Sequence, residues 1–245
     1  MTNLFSTSLI RNIYKKPSKK SEVTSQIIYG EKIKIIKIKN RWLKIKTHND
    51  NYFGYIKNEK LKEGLKIIFK TNKSKTRIFS KNKVKNFLAF NSRLPIITKR
   101  KKFIEFEKGK WVKRADIKPI NHRDRNFVKI LKSFTNCKYT WGGKSYKGID
   151  CSALVQLYYL YNNKFFPRDT KDQITFKKGK KKIIKFSKGD IIYWKGHVAV
   201  CLDRNKLIHA YGPRKKVLIM GIKRTIELIN KTAKLKVKKI IKIEK

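Results

Sequence analysis

The residues best suited to nucleophilic chemistry lie in the C-terminal half of the chain. Cys151 follows a loop punctuated by Gly142, Gly143 and Gly148 and precedes apolar residues at helical spacing. The sequence therefore predicts a cysteine in the first turn of a helix. Unpaired backbone N–H groups and the positive end of the helix dipole stabilise an anion there. We expect this thiol to ionise readily and to act as a nucleophile.

A base within reach distinguishes a catalytic cysteine from a buried cysteine that only fills space, which is the alternative interpretation. The chain has four histidines. His197 and His209 lie in the segments GDIIYWKGHVAV and KLIHAYGP, both typical of short buried strands. His48 and His122 lie in polar turn or linker sequence and are expected at the surface. A nucleophile, a base and a group that orients the base together favour a cysteine hydrolase.

The two candidate strands form a hairpin whose register decides whether the two rings can meet. A four-residue loop at 203–206 would place His209 opposite Val200, on the face of the sheet that points away from His197. A loop of three or five residues, or one bulge, shifts the register by one and puts both rings on one face. We predict that shift.

Six motifs in order carry a resemblance over roughly residues 122–245. They are Y-x-W-G-G, G-x-D-C-S-x-L-V-Q, P-R-D-T-x-x-Q, G-D-I-I-Y, G-H-V-A-V and I-H-A. This region resembles the NlpC/p60 cysteine peptidases, papain-like enzymes that cut bacterial cell-wall peptides. The resemblance implies that Cys151 is the nucleophile, His197 the general base and His209 the residue that orients it. The backbone N–H of Cys151 and the hydroxyl of Tyr139 would hold the oxyanion; alternatively, Tyr139 is only a packed aromatic.

The N-terminal half reads as short strands with period-2 alternation, as in EKIKIIKIKN and RWLKIK. Landmarks such as Gly-Glu, Trp-Leu-Lys-Ile and Phe-Gly-Tyr-Ile resemble bacterial SH3-like domains. A second, looser repeat with Trp111 suggests a divergent copy. We predict three domains: an SH3-like barrel at 1–62, a second at 63–121, and the peptidase domain at 122–245.

The peptidase domain is predicted to be α+β, with helices first and an antiparallel sheet after them. A helix is expected over 124–136 with Asp124 as its cap, and Thr170 with Gln173 has the spacing of a capping box. The structural interpretation of Arg168, Asp169 and Gln173 is local capping and turn formation. Strands are expected at 190–194, 197–202, 207–211, 217–220 and 237–243. Cys137 and Cys201 are expected to be structural.

The expected substrate comes from the resemblance. Family members that combine two SH3-like domains with this peptidase domain and lack an export signal resemble recycling endopeptidases. Those enzymes cut the γ-D-glutamyl bond to diaminopimelate or lysine in fragments with a free N-terminal L-Ala. By position, Asp150, Ser152 and Thr170 would hold the substrate's backbone and carboxylate; Thr170 stands where the family usually has serine. Glu31 and Tyr52 would meet its ammonium group, although Glu31 could instead be an exposed strand residue. The sequence leaves diaminopimelate and lysine equally open.

The formal net charge of +49, from 65 Lys and Arg against 16 Asp and Glu, could suggest a nucleic-acid partner. The lysines alternate with isoleucines throughout the chain, which is typical of solvated strand faces, so no nucleic-acid partner is expected. Three cysteines without a spacing pattern argue against a disulfide framework or a zinc site, and no metal or cofactor is expected.

The sequence shows no export signal and no apolar stretch that could span a bilayer, so a cytoplasmic enzyme is expected. A monomer is expected, although the sequence leaves the oligomeric state open. Two alternatives remain open. One is a wall-remodelling hydrolase of the envelope, and the other is a non-catalytic basic protein that binds an anionic polymer.

Overall fold

The computed structural model describes residues 4–81, 83–180 and 185–244. The chain forms two compact units. The first contains the chain up to Arg123 together with Trp141–Tyr146, and the second contains Asp124–Thr140 and the chain from Lys147 onward. The three domain boundaries predicted from the sequence stay a prediction.

The first unit begins with a seven-stranded sheet whose alternating strands cover one apolar core. Its strands are β1 (Leu4–Ser6), β2 (Ile10–Tyr14), β3 (Val23–Ile28), β4 (Lys32–Lys39), β5 (Trp42–Thr47), β6 (Phe53–Lys57) and β7 (Leu61–Glu63), in the order β3-β2-β6-β5-β4-β1-β7. In β5, Leu43 and Ile45 are buried while Lys44 and Lys46 between them are not, so the lysine and isoleucine alternation separates the two faces of the strand.

The rest of the first unit is also built from β-strands, in two smaller sheets around a second core that includes Ile78, Leu88 and Phe106. The strands are β8 (Phe69–Thr71), β9 (Lys75–Ser80), β10 (Lys83–Ala89), β11 (Arg93–Leu94), β12 (Thr98–Lys99), β13 (Phe103–Glu107), β14 (Lys110–Lys113) and β15 (Ile117–Pro119). The orders are β10-β9-β14-β13-β12 and β11-β8-β15. A two-residue strand, β16 (Lys144–Ser145), belongs to the same unit.

The second unit packs helices against an antiparallel sheet, so the predicted α+β class is confirmed. Its elements are α1 (Phe127–Lys132), β17 (Gly148–Ile149), α2 (Cys151–Tyr161), α3 (Thr170–Phe176), β18 (Asp190–Trp194), β19 (His197–Cys201), β20 (Lys206–Tyr211), β21 (Lys216–Gly221), α4 (Ile222–Ala233) and β22 (Lys239–Lys242). The sheet order is β21-β20-β19-β18-β22. Helix α2 is buried along its whole length and packs against β19 and β20, so it lies at the centre of this unit.

Helix α4 was not predicted, although its sequence carries the signal. Ile222, Ile226 and Ile229 recur at helical spacing, and Ile222 and Ile229 are buried on the side that packs against β21. The hydroxyl of Thr225 donates to the carbonyl of Gly221 in the first turn.

Two predicted helix caps are wrong. The N-cap of α1 is Asn126, whose side chain accepts the N–H of Lys129. Asp124 lies before the helix, and its side chain accepts the N–H of Asn126. The N-cap of α3 is Asp169, and Thr170 is its first helical residue. Thr170 and Gln173 therefore do not form a capping box, and both side chains serve the neighbouring helix α2 instead. No helix among the described residues is long and apolar enough to cross a membrane.

Candidate active site

The start of α2 is fixed by a buried network of polar side chains around Asp150. Asp150 is the N-cap: its Oδ1 accepts the N–H of Ala153 at 2.8 Å and the hydroxyl of Ser152 at 3.0 Å. Arg168, which is 2% exposed, donates to both carboxylate oxygens at 3.0 and 2.6 Å and to the Ser152 hydroxyl at 2.9 Å. This network holds Cys151 in the first turn of α2, as predicted.

The segment after Pro167 continues this support. The side-chain amide of Gln173 donates to the carbonyls of Ser152 at 3.0 Å and Pro167 at 2.9 Å. Thr170 Oγ1 lies 4.0 Å from Cys151 Sγ. Sequence reasoning gave Arg168 and Gln173 only local turn roles. Both side chains hold the first turn of α2 in place. This shared role could not be predicted, because both residues are far from Cys151 along the chain.

The thiol of Cys151 is buried, and burial decides its ionisation. Its pKa is raised to about 11, first by loss of solvent and then by the adjacent Asp150 carboxylate, although hydrogen bonds from the Val198 N–H and Thr170 and the Arg168 charge act in the opposite direction. The expectation that this thiol ionises readily is therefore wrong. Cys151 rests as a neutral thiol, so its proton must leave as the sulfur attacks.

The register of the β19–β20 hairpin brings the two histidines together. Val200 pairs with Ile208 and Cys201 with Leu207, around a three-residue loop at 203–205. This is the one-residue shift predicted from the sequence, and the prediction is confirmed. His197 Nε2 lies 2.9 Å from His209 Nδ1. Because Val198, the residue after His197, donates its N–H to Cys151 Sγ, β19 brings the base alongside the thiol.

The contacts of His209 specify which nitrogens carry protons. Its ring is fully buried and stacks on Tyr211, with centroids 4.8 Å apart. His209 Nε2 lies 3.4 Å from Met220 Sδ, an atom that can only accept. His209 therefore donates Nε2–H to Met220 and offers a bare Nδ1 to His197 Nε2–H. This leaves His197 Nδ1 as the nitrogen that can take the thiol proton.

Met220 was not anticipated from the sequence. Strand β21 pairs with β20 so that His209 faces Leu218. Residue 220 therefore shares the face of His209 two positions along, within reach of a long side chain. Only the register of β21 could have revealed this contact.

Burial also keeps both rings neutral. The pKa of His197 falls to about 4 because its ring is desolvated. The pKa of His209 falls to about 3, because of burial first and the neighbouring His197 second. Near neutral pH the resting site therefore contains a neutral thiol and a neutral base.

Tyr139 lies where its hydroxyl can serve as a donor. Its backbone N–H donates to the carbonyl of Lys215 at 2.8 Å, which fixes the segment before β17 beside β21. Burial, followed by the charges of Cys151 and Asp150, raises the pKa of the phenol, so the hydroxyl keeps its proton. Its role at the oxyanion stays a prediction.

In the first unit, Glu31 is 2% exposed, so its alternative description as an exposed strand residue is wrong. Lys144 Nζ donates to both of its carboxylate oxygens, at 2.8 and 2.9 Å, and the Ile28 N–H donates to Oε2 at 2.9 Å. The ammonium that Glu31 meets here is the chain's own. Tyr52 packs at the edge of the β1–β7 core. A substrate role for Glu31 or Tyr52 stays a prediction.

Burial raises the pKa of the Cys137 thiol to about 11 and that of the Cys201 thiol to about 12. Within the described ranges, the His, Cys, Asp and Glu side chains form no group of three that could hold a metal ion.

Comparison with known protein families identifies two domains in the chain. Residues 136–230 match the model of the NlpC/P60 family, and residues 13–61 match that of the bacterial dipeptidyl-peptidase Sh3 domain. The chain carries an NlpC/P60 cysteine peptidase domain and a bacterial SH3 domain. The NlpC/P60 match includes Cys151, His197 and His209, so the residues that the geometry brings together all lie in the catalytic part.

Relatives of known sequence and structure agree with this assignment. The chain is 28% identical over 237 residues to dipeptidyl-peptidase 6 of Lysinibacillus sphaericus, which covers 85% of this chain and 87% of that protein. An NlpC/P60 family protein from Bacillus cereus has a similar fold, with a TM-score of 0.77 at 17% identity over 90% of this chain and 94% of that one. An NlpC/P60 endopeptidase from Photobacterium damselae has a TM-score of 0.64 at 12% identity, over 97% of this chain and 70% of that one. At these identities the two structures support the fold alone.

Proposed function

We propose that this NlpC/P60 peptidase hydrolyses the γ-D-glutamyl bond to a diamino acid in peptidoglycan stem peptides, and that it does so in the cytoplasm during cell-wall recycling. The observation that carries the proposal is the 2.9 Å contact between His197 Nε2 and His209 Nδ1, on the strand that donates a hydrogen bond to the Cys151 thiol. Similarity to a protein named dipeptidyl-peptidase 6 supports a short peptide as the substrate.

The geometry defines the order of proton movements. As Cys151 Sγ attacks the amide carbon, its proton passes to His197 Nδ1, and the imidazolium is stabilised through Nε2–H by His209 Nδ1. The Cys151 N–H and the Tyr139 hydroxyl stabilise the oxyanion. His197 then gives its proton to the leaving amine, and the acyl group remains on sulfur as a thioester. Water, deprotonated by His197, hydrolyses the thioester and restores the resting site.

The buried network at the start of α2 constrains the remaining substrate roles. Asp150 and Ser152 are engaged with Arg168, so we propose that they act on the substrate through the backbone they hold in place rather than as freely offered side chains. Thr170, whose hydroxyl lies 4.0 Å from the thiol, is next to the position where the acyl group would form.

A free amino end on the fragment is the finer part of the proposal. Comparing a free with an N-acetylated substrate tests this part separately from the chemistry at Cys151.

The test is hydrolysis of L-Ala-γ-D-Glu-meso-diaminopimelate by the purified chain, followed by release of the free diamino acid. Wild-type protein should cut the γ-D-glutamyl bond, and Cys151→Ala should not. Cys137→Ala is the matched control because it removes a different thiol of the same unit and should retain activity. If the wild type releases no diamino acid from the tripeptide, the proposed substrate is wrong.

A further inference from the structure

Lysines and aromatic rings lie next to one another on the outward side of the first sheet. In β2, β5 and β6, buried residues alternate with residues that are not buried, so one side of each strand points away from the core. The pairing of these strands with one another and with β4 arranges the outward residues in three neighbouring rows. The first row is Lys34, Lys46 and Phe53, the second is Lys37, Lys44, Tyr55 and Tyr14, and the third is Lys39, Trp42 and Lys57. We call this set the basic–aromatic face.

The charge of the basic–aromatic face has one sign. The face carries six lysines, and β2, β4, β5 and β6 contain no aspartate or glutamate. In two of the rows lysine lies directly opposite lysine, Lys34 opposite Lys46 and Lys37 opposite Lys44. Like charges directly opposite each other destabilise a sheet. An anion over the face would remove this repulsion, so the face is suited to a ligand with several negative charges.

The aromatic rings give the face a second property, which a merely solvated strand surface does not need. Phe53 is 53% exposed, and Lys46 Nζ lies 5.4 Å from the centre of its ring. Trp42 meets Tyr14 edge to face, with ring centroids 5.4 Å apart. Every row therefore contains at least one lysine and at least one ring. Rings beside cations fit a ligand in which negative charges alternate with planar groups that can stack.

We propose that the basic–aromatic face binds single-stranded nucleic acid, with phosphates on the lysines and bases stacked on the rings. In a duplex the bases stack on one another, whereas a single strand offers them to protein side chains. This partner differs from the expectation drawn from the sequence, where the lysines are spread along the whole chain. Only the register shows that lysines and rings from four strands meet on one face.

The experiment measures binding of the full chain to fluorescein-labelled octathymidylate by fluorescence anisotropy over a salt series. This length lies within the site size of about 4–16 nucleotides that OB-fold barrels bind. If each lysine of the face contacts a phosphate, log Kd should rise with log salt with a slope of about 4, since each phosphate contributes about 0.7. Lys34→Gln/Lys37→Gln should lower this slope by about 1.4. Lys83→Gln/Lys85→Gln is the matched control, because it removes two exposed lysines from β10 in the same unit and should leave the slope unchanged.

Phe53→Leu tests the stacking separately, because it keeps an apolar side chain but removes the ring. It should raise Kd for octathymidylate by at least about fivefold, and Phe53→Tyr should bind as wild type does. An abasic octamer with the same phosphates should bind more weakly than octathymidylate, and Phe53→Leu should not alter its Kd.

Three results would overturn the proposal. Equal affinity for the abasic octamer and octathymidylate would show that the face attracts any polyanion, such as polyphosphate, without reading bases. Equal effects of the Lys34/Lys37 and Lys83/Lys85 double variants would show that the net charge of the chain, rather than this face, attracts the strand. Absence of binding at low salt would show that the face has another purpose.

Discussion

Glu31 and Lys144 form a buried ion pair in a chain that has only 16 acidic residues, and breaking it tests how the first unit is held together. Their side chains are 3% and 1% exposed, and the ammonium contacts both carboxylate oxygens. Lys144 lies in the 141–146 segment, and its backbone N–H donates to Gln26 Oε1 at 2.9 Å. The pair therefore fastens this segment to the strand region that carries Glu31.

The expected magnitude follows from what each substitution leaves behind. Glu31→Gln leaves a buried ammonium without its counter-charge, and removing one partner of a buried pair destabilises a protein by about 3–5 kcal/mol. Lys144→Met leaves a carboxylate that still accepts the Ile28 N–H, so its effect should be at the lower end of that range. The double variant Glu31→Gln/Lys144→Met removes both charges of the pair but also the carboxylate that favours the charged form of Arg93, so it should be less destabilised than the sum of the two single variants.

The assay is urea unfolding of the four proteins, completing a double-mutant cycle. Lys15→Met is the matched control: Lys15 pairs with Glu22 at 3.3 Å, but its side chain is 66% exposed, so its loss should cost less than about 1 kcal/mol. Effects of the two single variants that add in the double variant would refute the reasoning. So would a Glu31→Gln protein as stable as Lys15→Met.

Four further predictions concern the second unit. Met220→Leu should lower kcat by about two- to tenfold at unchanged KM, because leucine offers no acceptor to His209 Nε2–H and the ring is no longer held in one tautomer. Met220→Gln, which offers an acceptor again, should restore kcat. Nitrogen-15 NMR that found the proton on His209 Nδ1 in the wild type would exclude this explanation. Activity should persist to acid pH, and kcat/KM should begin to fall only near pH 4, because burial lowers the pKa of the base His197 to about 4. A fall of kcat/KM near pH 6.5 would show that the pKa of His197 is not lowered. Since unfolded histidine takes up its proton near pH 6.5 and folded His197 does so near 4, stability measured by thermal melting should fall as pH drops between these values and stay level between about pH 7 and the range in which unfolded cysteine ionises, near pH 8.5. Arg168→Gln should abolish most activity and destabilise the fold by about 3–5 kcal/mol, because Asp150 would remain buried without its cation; a stable, active variant would show that the network is dispensable.

Local patterns in the sequence were sufficient for the elements of the peptidase domain that carry Cys151, His197 and His209. Glycine-punctuated approach, helical spacing after Cys151 and short apolar runs around His197 and His209 predicted α2, β19 and β20. The hairpin register could also be predicted, because a side-chain period of two allows the histidines to meet only after a one-residue shift. Helix α4 was missed although Ile222, Ile226 and Ile229 carry its period.

Long-range contacts were beyond reach of these patterns. Sequence reasoning saw Arg168 as a turn residue, because nothing near it in the chain reveals the Asp150 carboxylate that it pairs with. The prediction that the Cys151 thiol ionises readily failed for a similar reason. The position of Cys151 at a helix start favours the thiolate, but its burial, which only packing determines, has the larger effect on its pKa.

The most direct test of the central claim, that Cys151 carries the acyl group, is intact-mass analysis of the chain after acid quenching during turnover of L-Ala-γ-D-Glu-meso-diaminopimelate. We expect an L-Ala-D-Glu acyl adduct, and peptide mapping should locate it on Cys151. The adduct should be absent from Cys151→Ala and should still form on Cys137→Ala. An adduct on Cys137 or Cys201, or turnover by Cys151→Ala at the wild-type rate, would contradict it.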